Sequence, residues 1–227
     1  NQLNEISSLG MRNFFRDNLK PTSSGTLRAI YDPFYKRIIL TKFDTSNSWT
    51  ISFLPEQQFW VSFHDYIPDY YLSNLTNFYS LYNQILRKHC AGLRGLIYES
   101  NVTFEIEYIH NDEPNVSKIA DSILINSVIK SFGTELSEAF STYQIQNEYQ
   151  NTGQLAISSL NARRTERTWI VNSIRDSLNQ TTSSLPSWTS ARRLEDFYHK
   201  IRLRFVNNNG KTLYLHDSSL QTSRSTR

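Results

Sequence analysis

Glycine, cysteine and histidine are all scarce in this chain: 227 residues hold seven glycines, five histidines and a single cysteine, Cys90. One thiol excludes an internal disulfide framework and any multi-cysteine zinc site. Seven glycines leave no G-x-G-x-x-G and no P-loop, so the phosphate cradles of nucleotide enzymes are missing. The histidines (64, 89, 110, 199 and 216) show neither H-x-x-x-H nor H-E-x-x-H spacing, and no metal or cofactor is expected. His89 beside Cys90 invites a thiol–imidazole reading, but sequence neighbours point different ways along an element, and an incidental cysteine is the plainer one. No apolar run approaches bilayer length, so no membrane insertion by this chain is expected. Methionine occurs only at Met11. The chain therefore reads as starting at a processing site or as one piece of something longer, and its N-terminus lacks a signal-peptide layout.

Aromatic and β-branched residues are plentiful, and between Tyr31 and Tyr82 they sit in short punctuated runs. Arg37-Ile38-Ile39-Leu40-Thr41, Trp49-Thr50-Ile51-Ser52-Phe53 and Phe59-Trp60-Val61-Ser62-Phe63 read as strands of an antiparallel meander, broken by Asp32-Pro33 and by Asp44 to Asn47. Asn, Ser and Thr number 20, 29 and 18, which suits a loop-rich β protein. The N-x-[ST] sequons at Asn74, Asn101, Asn115 and Asn179 are no more than this composition yields by chance.

The expected fold class is mainly β, an antiparallel meander or sandwich or propeller-like sheets, with a short N-terminal helix and irregular connectors. Four stretches are expected: helix and linker over 1–25, an antiparallel β domain over 26–146, an irregular connector over 147–190, and a basic β-hairpin with polar tail over 191–227. Apolar residues at three- and four-residue spacing predict the helix over 3–19. Strands are expected at 27–31, 36–43, 49–54, 58–63, 69–74, 77–83, 94–99 and 102–110. A helical stretch is an option over 84–93, which lacks strand alternation. The hairpin pairs Lys200–Val206 with Lys211–His216 around Asn209-Gly210, the strongest short-range hairpin signal. The tail from Ser218 is expected to be mobile or docked on a partner.

Candidate chemistry is thin. Glu105 and Glu107 share a strand face at a separation that would suit glycosidase carboxylates, but a solvated face explains the alternation as well. His64 with Asp65 and Asp69 suggests a base and its orienter, yet no nucleophile stands in a G-x-S-x-G context. An enzyme is not expected. Charge is more telling. Residues 1–160 carry 12 Lys/Arg against 16 Asp/Glu, whereas 161–227 carry 12 against 5. In that basic third, Lys200, Arg202 and Arg204 share one strand face, and Arg163, Arg164, Arg167, Arg192 and Arg193 add to it. Contact with phosphate or with an acidic neighbouring subunit is one reading; a solvated face opposite a packed one is the other. No helix-turn-helix, zinc finger or RNP motif supports sequence-specific nucleic-acid readout.

Several segments, taken in order, resemble the muzzle or nozzle-type tail proteins of crAss-like bacteriophages. They are Met11 to Phe15, Tyr31 to Tyr35, Ser62 to Pro68, Ile97 to Asn101, Phe104 to Asn111, Asn147 to Thr152, Arg164 to Trp169 and the Arg202 to His216 region. Leu86 to Cys90 and the Ser/Thr-rich 177–190 depart from the pattern. The resemblance implies a virion structural protein of the tail tip, at the distal end of the genome-ejection channel. This chain would be the C-terminal portion of a longer polypeptide. Implied partners are further copies in a six-fold ring, the N-terminal fragment of the same polypeptide, other tail ring and fibre proteins, and passing DNA without sequence specificity. A strongly basic lumen would retard DNA, so the basic third is expected at a subunit contact. A glycan-binding β module such as a host-receptor-binding domain is the alternative, suggested by Trp49, Trp60, Trp169, Trp188 and the many tyrosines.

Overall fold

The computed structural model describes residues 5–19, 25–172, 174–177, 192–208 and 210–225. It is mainly antiparallel β and divides into two compact units, residues 1–92 with 96–100, and residues 93–95 with 101–227. The boundary thus falls inside the span 26–146 that the sequence suggests as one domain.

In the first unit, α1 (Arg12–Asn18) is shorter than the expected 3–19. β1 (Thr26–Asp32), β2 (Arg37–Phe43), β3 (Trp49–Leu54) and β4 (Phe59–His64) form the expected meander in sequence order. Asp32 sets the first turn: its buried carboxylate accepts the amide of Phe34 at 3.0 Å and Nε of Arg37 at 3.0 Å. β3 is buried along almost its whole length because it is covered on both faces. Trp49, Ile51 and Phe53 lie on the side of Phe14, Phe15 and Trp60: Phe14 meets Trp49 edge to face, and Trp60 tilts against Phe15 and Phe53. The alternate residues, Thr50 and Ser52, face a hydroxyl-rich layer instead.

That layer belongs to β5 (Tyr70–Ser73), β6 (Phe78–Tyr82) and β7 (Ile85–Lys88), a three-stranded sheet. Thr41 bonds both Thr50 and Tyr71 through its hydroxyl, and Thr50 donates to the carbonyl of Tyr66. β7 corrects the helical option over 84–93. Tyr82 pairs with Ile85 across Asn83 and Gln84, both at positive φ, as a two-residue hairpin turn requires. β8 (Leu96–Ile97) and β9 (Ser100–Asn101) make a minimal pair.

The second unit holds β10 (Thr103–His110), β11 (Lys118–Ser131), β12 (Thr134–Leu136), β13 (Thr142–Gln146), β14 (Leu155–Ala156), β15 (Ala162–Thr165), β16 (Thr168–Val171), β17 (Glu195–Asp196), β18 (His199–Val206) and β19 (Thr212–Arg224). One sheet runs β10-β18-β13-β14. The other is built on the 14-residue β11: β19 follows one edge from Lys118 to Lys130, while β17, β16 and β12 share the other. Ile123, Ile125, Ile129 and Val171 meet Tyr143, Ile145, Ile201, Leu203 and Phe205 in one buried cluster, a sandwich core. Short strands β14, β15 and β16 interrupt the stretch 147–190 expected to be irregular. The sequons and Trp at 179 and 188, with most of 177–190, lie outside the described residues.

The expected C-terminal hairpin does not form. β18 pairs with β10 and β13, and β19 pairs with β11 in the opposite sheet. Asn207 explains the correction: its side chain accepts the amide of Lys211 at 2.9 Å and donates to the carbonyls of Lys211 and Arg94. These bonds make a wide corner between sheets in place of a tight turn within one. Residues 218–224, expected as tail, are strand along β11.

Candidate functional site

β18 alternates strictly. Ile201, Leu203 and Phe205 enter the core, so Lys200, Arg202 and Arg204 face outward. Antiparallel register sets Glu105 opposite Arg204 and Glu107 opposite Arg202. The five side chains form one ladder: Lys200–Glu107 2.7 Å, Arg202–Glu107 2.6 Å, Arg202–Glu105 3.2 Å and Arg204–Glu105 3.0 Å. On the far side β13 places Gln144 opposite Arg202 and Gln146 opposite Lys200, and Gln154 accepts from Arg204 at 3.0 Å. Desolvation opposes ionisation of Glu107, but hydrogen bonds from Lys200 and Arg202 outweigh it and hold the carboxyl below its ordinary value. A glycosidase acid needs the opposite shift. The two glutamates and the basic stripe, read separately in the sequence, are each other's partners.

The remaining predicted cations are dispersed. Arg164, on β15, reaches Glu135 of β12 at 2.5 Å, and Arg193 reaches Asp121 at 3.1 Å. Arg163, Arg167 and Arg192 are exposed, with no ion pair among the described residues. The eight are therefore divided between two sheets and the segments beside them rather than gathered in one patch. A buried cation went unremarked in the sequence: Lys118 donates its ammonium to the carbonyls of Asp112, Glu113 and Val116, wrapping the β10–β11 loop around itself.

In the first unit, sequence reasoning missed a polar constellation. Ser80 Oγ lies 2.6 Å from His89 Nε2 and 2.6 Å from the Tyr98 hydroxyl, and His89 stacks on Phe78. Burial lowers both His64 and His89 to about 4, and raises Tyr71 to about 12 and Tyr66 further. A serine–imidazole contact is what a nucleophile needs. Ser80, however, is fully buried and shares its hydroxyl with Tyr98, which makes it a bridge between strands. His64 contacts Ser62 at 3.4 Å while Asp69 accepts the amide of Asn83, so the proposed base and orienter are not joined. Only the β6–β7 register brings Ser80 to His89, and nothing in their spacing announces it.

A cavity of about 200 Å³ opens in the second unit beside the β18–β19 corner. Phe104, Phe205, Leu213 and Leu215 line it together with Arg94 and Lys211. Lys211 is paired with Glu138 at 2.7 Å. No predicted site residue lines it. Among the described residues no group of His, Cys, Asp and Glu is arranged to hold a metal ion, and no helix is long and apolar enough to cross a membrane. No family model matches the chain, and no curated protein matches it.

Proposed function

We propose that this chain is a non-catalytic building block of a phage tail tip, the muzzle or nozzle at the distal end of the ejection channel. In this reading it assembles in a ring with copies of itself, beside the N-terminal part of its polypeptide and other tail proteins. The ordered sequence resemblance is what supports the phage-tail reading. The geometric observation that carries the structural role is the occupation of the polar groups. Glu105 and Glu107 are held by Lys200, Arg202 and Arg204, and Ser80 is sealed beneath the surface. Groups capable of chemistry are engaged in holding the fold together.

The ladder also redistributes the proposed subunit contact. Charge on β18 is met within the sheet, so Arg163, Arg167 and Arg192, exposed and without an ion pair among the described residues, are the better candidates for a neighbouring subunit or DNA. The glycan-binding alternative draws less support, because Trp49 is buried and Trp60 packs against Phe15 and Phe53. Imaging whole phage particles by cryo-electron microscopy and tracing this chain tests the proposal. A ring at the distal tail is the expected outcome; particles that lack the chain, beside purified protein that stays monomeric at high concentration, would sink it.

A further inference from the structure

The tip of the β11–β12 hairpin is costly in two ways. Its two-residue turn is Phe132-Gly133, with φ of +48 and +86, between the paired Ser131 and Thr134. Such turns favour Asn-Gly, because a bulky side chain at positive φ crowds its own backbone. The same phenylalanine is 93% exposed. An apolar ring held in an unfavourable backbone conformation, entirely in water, serves no packing purpose in this chain.

Cations lie near that end of β11. Lys130 lies one residue before the paired Ser131 and sits over the Tyr214 ring at 5.6 Å. Arg164 bonds Glu135, and the fields of Arg164, Arg167 and Lys130 all act on that carboxyl. The β15–β16 turn, which carries Glu166 and Arg167, points to the same end of β11, since Thr168 pairs with Asn126. Glu135 and Glu166 are the carboxylates in this collar, against Lys130, Arg164 and Arg167, with Glu135 taken up by Arg164. Leu75, at the β5–β6 turn, is 96% exposed but is flanked by Asn74, Thr76 and Asn77, with no positive φ and no such collar.

We propose that the Phe132 tip is a surface anchor for an anionic lipid bilayer: the ring enters the headgroup region while Lys130 and Arg167 meet lipid phosphates. This is contact at the interface, not a span. Charge selects the occupant. A second copy offers the cavity beside Asn207, but Arg94 lines it, and bringing that cation against Lys130 and Arg167 of the tip is unfavourable. A convex tip with one ring also lacks the stacking platform that single-stranded nucleic acid uses. A bilayer needs no matching pocket, and each cation near an anionic surface strengthens binding roughly fivefold.

The test is flotation of the full chain with phosphatidylcholine vesicles, with and without phosphatidylglycerol. Binding is expected only to the anionic vesicles, weakening as salt rises. Phe132→Asn should melt no lower than the wild type, since it restores the favoured turn dipeptide, yet bind at least about tenfold more weakly. Leu75→Asn should bind like the wild type. No binding to anionic vesicles at low salt would overturn the proposal, as would binding that Phe132→Asn leaves unchanged. Self-association or oligonucleotide binding lost in Phe132→Asn, without vesicle binding, would overturn it by giving the tip another partner. None of these outcomes depends on whether the chain belongs to a phage tail.

Discussion

At the scale of single residues, Asn207 and Gly95 show how one side chain can decide a connection. Asn207 holds the corner after β18, and a Cβ on Gly95 would stand 2.3 Å from its Nδ2, at a φ of +79 that already disfavours a side chain. Gly95→Ala is therefore expected to cost about 2–4 kcal/mol, read from urea unfolding. A loss under about 0.5 kcal/mol would mean that Asn207 yields freely and does not fix the corner. His64 and His89 give a second residue-scale prediction. Burial puts their folded values at about 4, below the ordinary 6.5, so the unfolded chain takes up protons first. Stability is full above pH 6.5, falls as pH drops towards 4 and then levels, each histidine contributing on the order of 2–3 kcal/mol. His64→Gln should reduce the proton uptake on unfolding at pH 5 by about one. An unchanged pH slope would place the imidazole in water.

Elements bring the charged ladder into view. Arg202 separates Glu105 from Glu107 and bonds both. Arg202→Leu should cost about 1–2 kcal/mol in low salt, because it leaves two carboxylates on one face, and less in high salt. Restoring part of that loss with Glu107→Gln in the same chain would confirm like-charge repulsion; no recovery would assign the loss to packing of the Arg202 stem. Elements also show what was legible in the sequence. The meander β1–β4 could be read because its strands pair in chain order, with Asp32-Pro33 marking the first turn. The Asn-Gly signal misled because Asn207 bonds across to Lys211 and turns the chain into the other sheet. β7 was obscured because Asn83-Gln84 is a less familiar turn pair than Asn-Gly. The ladder was half legible: alternation exposed both stripes, but their pairing depends on strands about a hundred residues apart, which no local pattern reports.

For the whole molecule, the exchange of chain between the units is the informative feature. Residues 93–95 belong to the second unit although 96–100 return to the first. Arg94 supplies a carbonyl to Asn207, and the Gly95 carbonyl accepts the amide of Val102. A fragment beginning at Leu93 should thus melt higher than one beginning at Asn101, by circular dichroism. Equal melting would show that the three residues contribute nothing.

The pairing of β11 with β19 joins residues about a hundred positions apart, and β10 with β18 does the same. Time on the ribosome follows from it. The first unit's strands meet neighbours already made, so they can settle as they emerge. The second unit must wait for nearly the last residue of this stretch. Until then β11, with Ile119, Ile123, Leu124, Ile125, Val128 and Ile129, is an uncovered apolar strand, and any delay in supplying β19 prolongs its exposure to aggregation.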